Sequence, residues 1–87
     1  MYQVELKPSA EKSLVSLPAV VQRRILLALR GLEPDPRPHG SIKLAGKDDL
    51  WRIRVGDYRI VYPIHDDVLL VLVVRIGHRR DIYRKCF

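Results

Sequence analysis

The sequence predicts an α+β fold in which a small, mostly antiparallel sheet carries a pair of helices on one face. Between residues 50 and 76, apolar or alternating stretches of strand length are separated by short turns. Between residues 9 and 32, apolar residues recur at helical spacing instead. The 87 residues suffice for one hydrophobic core, so we expect a single domain over residues 1–87 with the element order β-α-α-β-β-β.

The N-terminal half predicts one strand and a helix hairpin. Tyr2–Lys7 alternates like a strand, and Ser9 is a candidate N-cap for a short helix. The apolar residues of that helix are Ala10, Leu14 and Leu17. Pro18 suits the first turn of a second helix. Its apolar stripe consists of Val21, Ile25, Ala28, Leu29 and Leu32. Glu33–Ser41 contains three prolines and a glycine, so we expect a loop there.

The C-terminal half predicts the rest of the sheet. Leu50–Val55 and Tyr58–Ile64 form a predicted hairpin whose two-residue turn is Gly56-Asp57. A second turn is expected at residues 65–67. The segment Val68–Ile76 is apolar on both faces, which is typical of a central strand. Together these strands give the helix hairpin an apolar surface to cover.

The charge of the chain favours an acidic partner. The net charge is +6 and the pI is about 9.9, which suits nucleic acid or an acidic protein. The excess lies in residues 50–87, where eight lysines and arginines face four acids. No apolar run approaches the about 18 residues of a membrane span, and the N-terminus lacks a signal-peptide core, so we expect a cytoplasmic protein without membrane contact. The single Cys86 excludes an internal disulfide and a cysteine-based zinc site.

The predicted hairpin gathers arginines on one face of the sheet. Because strand side chains alternate, Arg52 and Arg54 point away from the apolar residues between and beside them. A turn at Gly56-Asp57 places Arg54 opposite Arg59. Like charges opposite each other destabilise a sheet, and a bound phosphate offsets that repulsion through bidentate hydrogen bonds. The alternatives are that the arginines extend into solvent or pair with Asp48, Asp49 or Asp57.

The basic segment after the last strand extends this surface. Gly77–Arg80 follows the strand directly and can bring further cations to the end of the sheet. Tyr83 is either a stacking platform for a base or a cover for the edge of the core. The length of the turn after residue 65 leaves open whether Arg75 joins the arginines or the helix side.

These residue types suit the cleavage of RNA, which supplies its own nucleophile in the 2′-OH. The reaction needs a base for that proton, cations on the phosphorane and an acid for the 5′-oxygen. Arginines fill the middle role, but a pKa above about 12 makes them poor bases. Histidine is the residue type most often used as an acid–base group, and His78 is either such a group or an inert surface histidine. A hairpin turn explains His65-Asp66-Asp67, so we expect neither a metal nor a cofactor.

Three segments resemble the RelE/ParE superfamily of toxins from toxin–antitoxin systems. They are KLAG at residues 43–46, WRIRVGDYRIVY at residues 51–62 and VVRIGHRRDIY at residues 73–83. The ending has a glycine and a basic cluster before a tyrosine, and it is more similar to the RelE branch than to the gyrase-inhibiting ParE branch. The resemblance implies a microbial-ribonuclease-like fold and metal-independent cleavage of mRNA in the ribosomal A site, which leaves a 2′,3′-cyclic phosphate. It also implies a cognate antitoxin that wraps around the toxin in a hetero-oligomer.

By position, the resemblance implies a catalytic site made of Arg52, Arg54, Arg59, Arg79 and Tyr83, to which His78 is added from its residue type as a reserve acid–base group. Arg54 and Arg59 would bind the scissile phosphate, and Arg52 would hold the backbone or orient the 2′-OH. Arg79 would stabilise charge at the leaving oxygen or assist its protonation, and Tyr83 would stack on or orient the base. Further cations expected to bind RNA are Lys43, Lys47, Arg80 and Arg84.

The chain departs from the RelE pattern in the strand. Where RelE toxins carry lysines, it has Arg52 and Arg54, and an arginine effectively cannot lose its proton. Three alternatives follow: His78 is the general base, the 2′-OH is activated mainly by positioning and charge, or cleavage is weak. Two other functions stay open. One is a ParE-like inhibitor of DNA gyrase, and the other is a non-catalytic module whose basic face binds RNA or the antitoxin.

Overall fold

The computed structural model describes residues 1–44, 46 and 49–78, and within them two helices accompany a six-stranded sheet. The elements are β1 (Gln3–Leu6), α1 (Pro8–Val15), α2 (Ala19–Gly31), β2 (Ile42–Lys43), β3 (Leu50–Val55), β4 (Tyr58–His65), β5 (Leu70–Val73) and β6 (Arg75–His78). The α+β fold is as predicted. The sheet has more strands than the four expected, because the short extended piece that the sequence allows at Ile42–Leu44 pairs as β2 and the last strand is divided in two.

The strand order is β1-β5-β4-β3-β2, and β6 also pairs with β4. Only β1 and β5 run parallel, with Gln3 beside Leu70, and the other pairs are antiparallel. The prediction of a mostly antiparallel sheet is therefore confirmed. The connection between the two parallel strands contains the helix hairpin and the strands β2, β3 and β4.

The helices pack through the stripes that the sequence predicts. Ala10 and Leu14 of α1 are buried, and so are Ile25 and Leu29 of α2. They meet the sheet residues Ile53, Ile60, Tyr62, Val71, Val73 and Ile76 in one core. The predicted N-cap at Ser9 is wrong. The cap is Lys7 and the helix begins at Pro8, whose fixed φ and missing N–H suit a first helical position.

A one-residue bulge at Val74 separates β5 from β6. The amide of Val74 donates to the carbonyl of Val61 at 3.0 Å, and Arg75 is the Cα partner of that same Val61. Two residues of one strand thus oppose a single residue of β4, which defines a bulge. Without it, the alternation that buries Val71 and Val73 would turn Ile76 away from the core. The bulge keeps Ile76 buried instead.

The turn between β4 and β5 lies further along the chain than predicted. The expected strand start at Val68 is wrong, because Val68 and Leu69 are exposed and precede β5. Leu69 has a φ of 52°, in the left-handed region, which reverses the chain at this point. The predicted end of the last strand at Gly77 is also wrong, since β6 continues through Gly77 to His78.

The proline-rich loop is pinned to the sheet by hydrogen bonds. The buried Tyr62 hydroxyl donates to the Pro36 carbonyl at 2.9 Å. The Arg37 guanidinium donates to both carboxylate oxygens of Asp66 and lies 5.2 Å from the Trp51 ring centroid. Hydrogen bonds from Arg37, and then from the Tyr2 hydroxyl, lower the pKa of Asp66.

In the described part of the chain, no helix is long and apolar enough to cross a membrane.

Candidate functional site

Four arginines share the sheet face that points away from the core, and we call this set, Arg52, Arg54, Arg59 and Arg75, the arginine face. In the β3–β4 register Arg54 lies opposite Arg59, which confirms the prediction from the turn. The turn itself places Gly56 at a φ of 60°, a conformation that glycine adopts without the strain of a side chain. The hairpin therefore fixes three of the four positions from local sequence.

Arg75 joins the face because of the bulge at Val74. The β4–β6 register places Arg75 opposite Val61, while Val61 faces Arg52 on its other side. Opposite residues in a sheet project to the same side, so Arg75 and Arg52 flank Val61. This settles the placement that the sequence leaves open. The bulge re-aims one side chain, as bulges near functional sites commonly do.

The centre of the arginine face is buried. Arg52 and Arg59 are each 9% exposed and Val61 is 0% exposed, whereas Arg54 is exposed. The alternative that the arginines extend into solvent therefore does not hold for Arg52 and Arg59. Within the described residues, the Nε atoms of Arg52 and Arg59 and one terminal nitrogen of Arg59 have no hydrogen-bond partner. Each such donor costs about 1–3 kcal/mol of desolvation if it stays unpaired.

No acidic side chain of the described residues pairs with Arg52, Arg54 or Arg59. The ion pairs found there join Arg37 to Asp66 at 2.8 Å and Lys43 to Asp49 at 3.2 Å. Asp49 therefore turns to Lys43 rather than to the arginines. A guanidinium without a carboxylate partner can bind an external anion, and a phosphate fits its planar geometry. The arrangement is chemically suited to hold a phosphate group of a polyanion.

His78 does not lie with the arginines. It is the cross-strand partner of Tyr58, and the two rings meet edge to face at 5.6 Å. In the same register Ile60 and Ile76 enter the core two residues away, so the alternation directs His78 to the helix side of the sheet. Its acid–base role stays a prediction, and the structure does not bring it together with Arg52, Arg54 and Arg59.

The other predicted site residues are divided between the helix side and the undescribed part of the chain. Lys43 is the cross-strand partner of Trp51, which also directs it to the helix side, and its ammonium pairs with Asp49. The remaining predicted residues, Lys47, Arg79, Arg80, Tyr83 and Arg84, lie outside the described residues. Among the residues that are described, no cluster of histidine, cysteine or carboxylate side chains could hold a metal ion.

A cleft lies beside the arginine face and is not predicted by the sequence. It has a volume of about 540 Å³ and lies where the short β2 ends along the outer edge of β3. We call it the edge cleft, and its lining residues are Ala28, Gly31, Pro38, His39, Gly40, Ile42, Arg52, Ile53 and Arg54. They come from a helix, a loop and two strands, so no local pattern marks them. The only sequence signal is that Pro38-His39-Gly40 ends one residue before the strand that pairs with Arg52.

Comparison with known proteins identifies relatives that match most of the chain. Residues 4–83 match the model of the ParE toxin family of type II toxin–antitoxin systems. A RelE-like toxin protein of Escherichia coli is 31% identical over 94% of this chain and 90% of its own length. Toxin RelG of Mycobacterium tuberculosis is 29% identical over 97% of this chain and 98% of its own length.

Solved structures give the same result for the fold. The archaeal RelE–RelB complex of Pyrococcus horikoshii contains a chain that superposes with a TM-score of 0.82 at 34% identity, covering 92% of this chain and 97% of that one. The isolated RelE toxin of E. coli superposes with a TM-score of 0.79 at 26% identity, covering 90% of this chain and 84% of that one. The similarity therefore extends over the helix hairpin and the sheet together.

Proposed function

The chain belongs to the RelE/ParE superfamily of toxins from type II toxin–antitoxin systems, and we propose that it is a metal-independent endoribonuclease that cleaves mRNA in the ribosomal A site. One observation carries the proposal. Arg52 and Arg59 are buried on the arginine face with nitrogens that have no partner among the described residues, and the exposed Arg54 lies opposite Arg59. An RNA phosphate supplies the acceptor oxygens that these donors lack.

In the proposed reaction, the arginine face binds the scissile phosphate and stabilises the charge that develops on it. The 2′-OH attacks the adjacent phosphorus, a cyclic phosphate forms, and the 5′-oxygen leaves. Preorganised cations at the site of developing charge contribute most to such a step. Arg54 and Arg59 hold the non-bridging oxygens, and Arg52 orients the sugar–phosphate backbone. Because His78 lies on the helix side, we assign activation of the 2′-OH to positioning and charge.

Two residues outside the described part of the chain complete the proposed site. Arg79 would stabilise or protonate the leaving oxygen, and Tyr83 would orient a base. Their roles rest on the resemblance of residues 73–83 to the RelE pattern. The proposed RNA contacts of Lys43, Lys47, Arg80 and Arg84 rest on charge alone. The pairing of Lys43 with Asp49 makes Lys43 the weakest of these four.

We further propose a cognate antitoxin as the partner of this chain, in a toxin–antitoxin hetero-oligomer. Structures of similar chains from P. horikoshii and E. coli are complexes of RelE with RelB. The net charge of +6 suits an acidic partner as well as RNA. An antitoxin carboxylate on the arginine face would satisfy the same buried donors and would thereby exclude the substrate. The proposed activity also implies that the chain binds the ribosome and acts in the cytoplasm.

A second candidate function is inhibition of DNA gyrase, because the matching family model is that of the ParE toxins. A third candidate is a non-catalytic module, because Arg52 and Arg54 stand where RelE toxins have lysines and an arginine cannot act as the general base. The buried donors of Arg52 and Arg59 that have no partner among the described residues favour an anionic ligand, either a phosphate or a carboxylate, over an uncharged surface. The cellular phenotype separates the two toxins, because a gyrase inhibitor damages DNA and leaves mRNA intact.

The test is primer extension on a reporter mRNA after brief induction of the full-length chain, with Arg59→Ala alongside. We expect cuts confined to translated codons with the native sequence and none with Arg59→Ala. The matched control is Arg23→Ala, which removes the same charge from an exposed position on α2 and should leave the cuts unchanged. Intact mRNA accompanied by growth arrest and DNA damage would overturn the proposal in favour of gyrase. RNA bound by the purified protein without cuts would favour the non-catalytic module.

A further inference from the structure

The edge cleft is continuous with the arginine face but differs from it in chemistry. The short β2 pairs only with Trp51 and Arg52, so in the described part of the chain the outer edge of β3 is uncovered from Ile53 onward. The cleft occupies this uncovered edge. The cleft volume of about 540 Å³ lies within the range of about 300–1,000 Å³ that is usual for sites of small organic ligands.

Most of the lining is apolar or without a side chain. Ala28, Pro38, Ile42 and Ile53 supply apolar surface. A Cβ placed on Gly31 or Gly40 would meet no atom within 4 Å, so the space in front of both glycines is open. The polar part consists of His39, Arg52 and Arg54. The cleft thus joins an apolar interior to a rim of flat, nitrogen-bearing groups.

The rim connects the cleft to the unpaired donors. Arg52 lines the cleft, is 9% exposed and has a buried Nε without a partner in the part of the chain that the structure describes. Arg54 lines the cleft and lies opposite Arg59 on the arginine face. A ligand that fills the cleft and also satisfies these donors needs a flat, largely apolar body next to an anionic group. A nucleotide has this composition, with its base and its phosphate joined by one sugar.

We propose that the edge cleft is a nucleobase subsite, which holds one base of an RNA strand whose phosphate lies on the arginine face. This inference rests on the proposed function and names the part of the substrate that the arginine face does not bind. Guanidinium planes and the imidazole of His39 are stacking partners for a base, and stacking tolerates any of the four bases. An extended segment of an acidic protein is the competing occupant, because an uncovered strand edge can accept another strand.

The experiment compares ligands with and without a base on the purified full-length chain. Binding of ribose 5-phosphate, uridine 5′-monophosphate and adenosine 5′-monophosphate is measured by calorimetry. Stacked bases commonly contribute enough to tighten binding about tenfold, so both nucleotides are expected to bind about tenfold more tightly than ribose 5-phosphate. Backbone amide shifts in NMR spectra should report the base at Gly31, Gly40 and Ile42.

Gly31→Leu is the variant that narrows the cleft. Gly31 is the last residue of α2 and its φ is not positive, so a leucine fits the backbone and projects into open space. We expect Gly31→Leu to reduce the nucleotide affinities to that of ribose 5-phosphate, whose own affinity stays unchanged. Gly31→Ala is the matched control, because a single methyl group leaves most of the cleft open and should preserve the preference for a base.

The outcomes separate the subsite from the proposed function. Ribose 5-phosphate that binds as tightly as the nucleotides, with loss of binding in Arg59→Ala, would overturn the base subsite and leave the phosphate site standing. No binding of any of the three ligands would remove the phosphate site and the subsite together. Amide shifts confined to residues of the arginine face would also overturn the subsite. A Gly31→Leu chain that keeps its base preference but loses its antitoxin would assign the cleft to the protein partner.

Discussion

The two faces of the β3–β4 hairpin are built from alternate residues of the same strands, yet they differ in whether their buried polar groups have hydrogen-bond partners. On the helix side, Ile53, Ile60 and Tyr62 are buried, and the one polar group among them, the Tyr62 hydroxyl, has a partner in the Pro36 carbonyl. On the arginine face, Arg52 and Arg59 are similarly buried, yet three of their nitrogens have no partner among the described residues. Burial stabilises the first face and costs free energy on the second.

This difference separates residues that fold the domain from residues that await a ligand. A protein that satisfies its buried donors on one side of a hairpin and leaves them unpaired on the other carries a local conflict with its own stability. Such conflicts are expected at functional sites. The adjacent pair Arg59 and Ile60 tests the comparison most directly, because two neighbouring side chains should change stability in opposite directions.

The largest expected effect is that of Ile60→Ala. The side chain is 0% exposed and lies in the core beside Ile53 and Ile76, so its removal leaves a cavity. We expect the free energy of unfolding to fall by about 2–5 kcal/mol. Urea denaturation followed by circular dichroism measures the change. A loss below about 1 kcal/mol would mean that the helix side of the hairpin does not carry the core.

Arg59→Met should have the opposite sign. Methionine keeps the length of the side chain and removes buried donors, so we expect the free energy of unfolding to rise by about 1–3 kcal/mol. The same change should abolish phosphate binding. Arg54→Met is the matched control, since Arg54 is exposed and its replacement should leave stability nearly unchanged. Destabilisation by Arg59→Met would show that its guanidinium has an intramolecular partner in solution.

The contrast between the two faces was predictable as far as local sequence determines it. Gly56-Asp57 marks the hairpin turn, and the turn fixes the register that places Arg54 opposite Arg59. The apolar stripes of α1 and α2 indicate which side of the sheet is covered. The burial of Arg52 and Arg59 was not predictable, because it depends on neighbours along the sheet rather than on alternation within one strand.

The bulge and the edge cleft lie beyond local sequence for different reasons. The segment around Val74 is apolar on both sides, so a shift of one residue leaves its hydropathy pattern unchanged, and only pairing with Val61 fixes the phase. The edge cleft depends on where the loop after α2 returns to the sheet. Tyr62 and Asp66 anchor that loop through Pro36 and Arg37, across long separations in the chain.

Tyr62→Phe tests the satisfied polar group of the helix side and should have a smaller effect. Loss of the hydrogen bond to Pro36 should lower the free energy of unfolding by about 0.5–1.5 kcal/mol. Burial raises the pKa of Tyr62 to about 12. Because the folded chain holds this proton more tightly than the unfolded chain, the associated stability is present below pH 10 and is lost as the pH rises towards 12.

The alkaline loss of stability should therefore be weaker in Tyr62→Phe than in the native sequence. Denaturation midpoints measured at several pH values between 8 and 12 follow both effects in one series. Equal alkaline slopes for the two proteins would mean that Tyr62 ionises as readily in the folded chain as in the unfolded one. The buried polar group of the helix side would then be less protected than its hydrogen bond indicates.

The smallest expected effect comes from Gly31→Ala, which changes neither face of the hairpin. Gly31 ends α2, and a Cβ there would meet no atom within 4 Å, so the methyl group fits without strain. Alanine loses less backbone entropy than glycine on entering a helix, and we expect the free energy of unfolding to rise by about 0.5–1 kcal/mol. Thermal unfolding measures this gain. A lower midpoint would mean that the backbone at this end of the edge cleft needs the freedom of glycine, and Gly31 would then belong with the residues that serve a ligand.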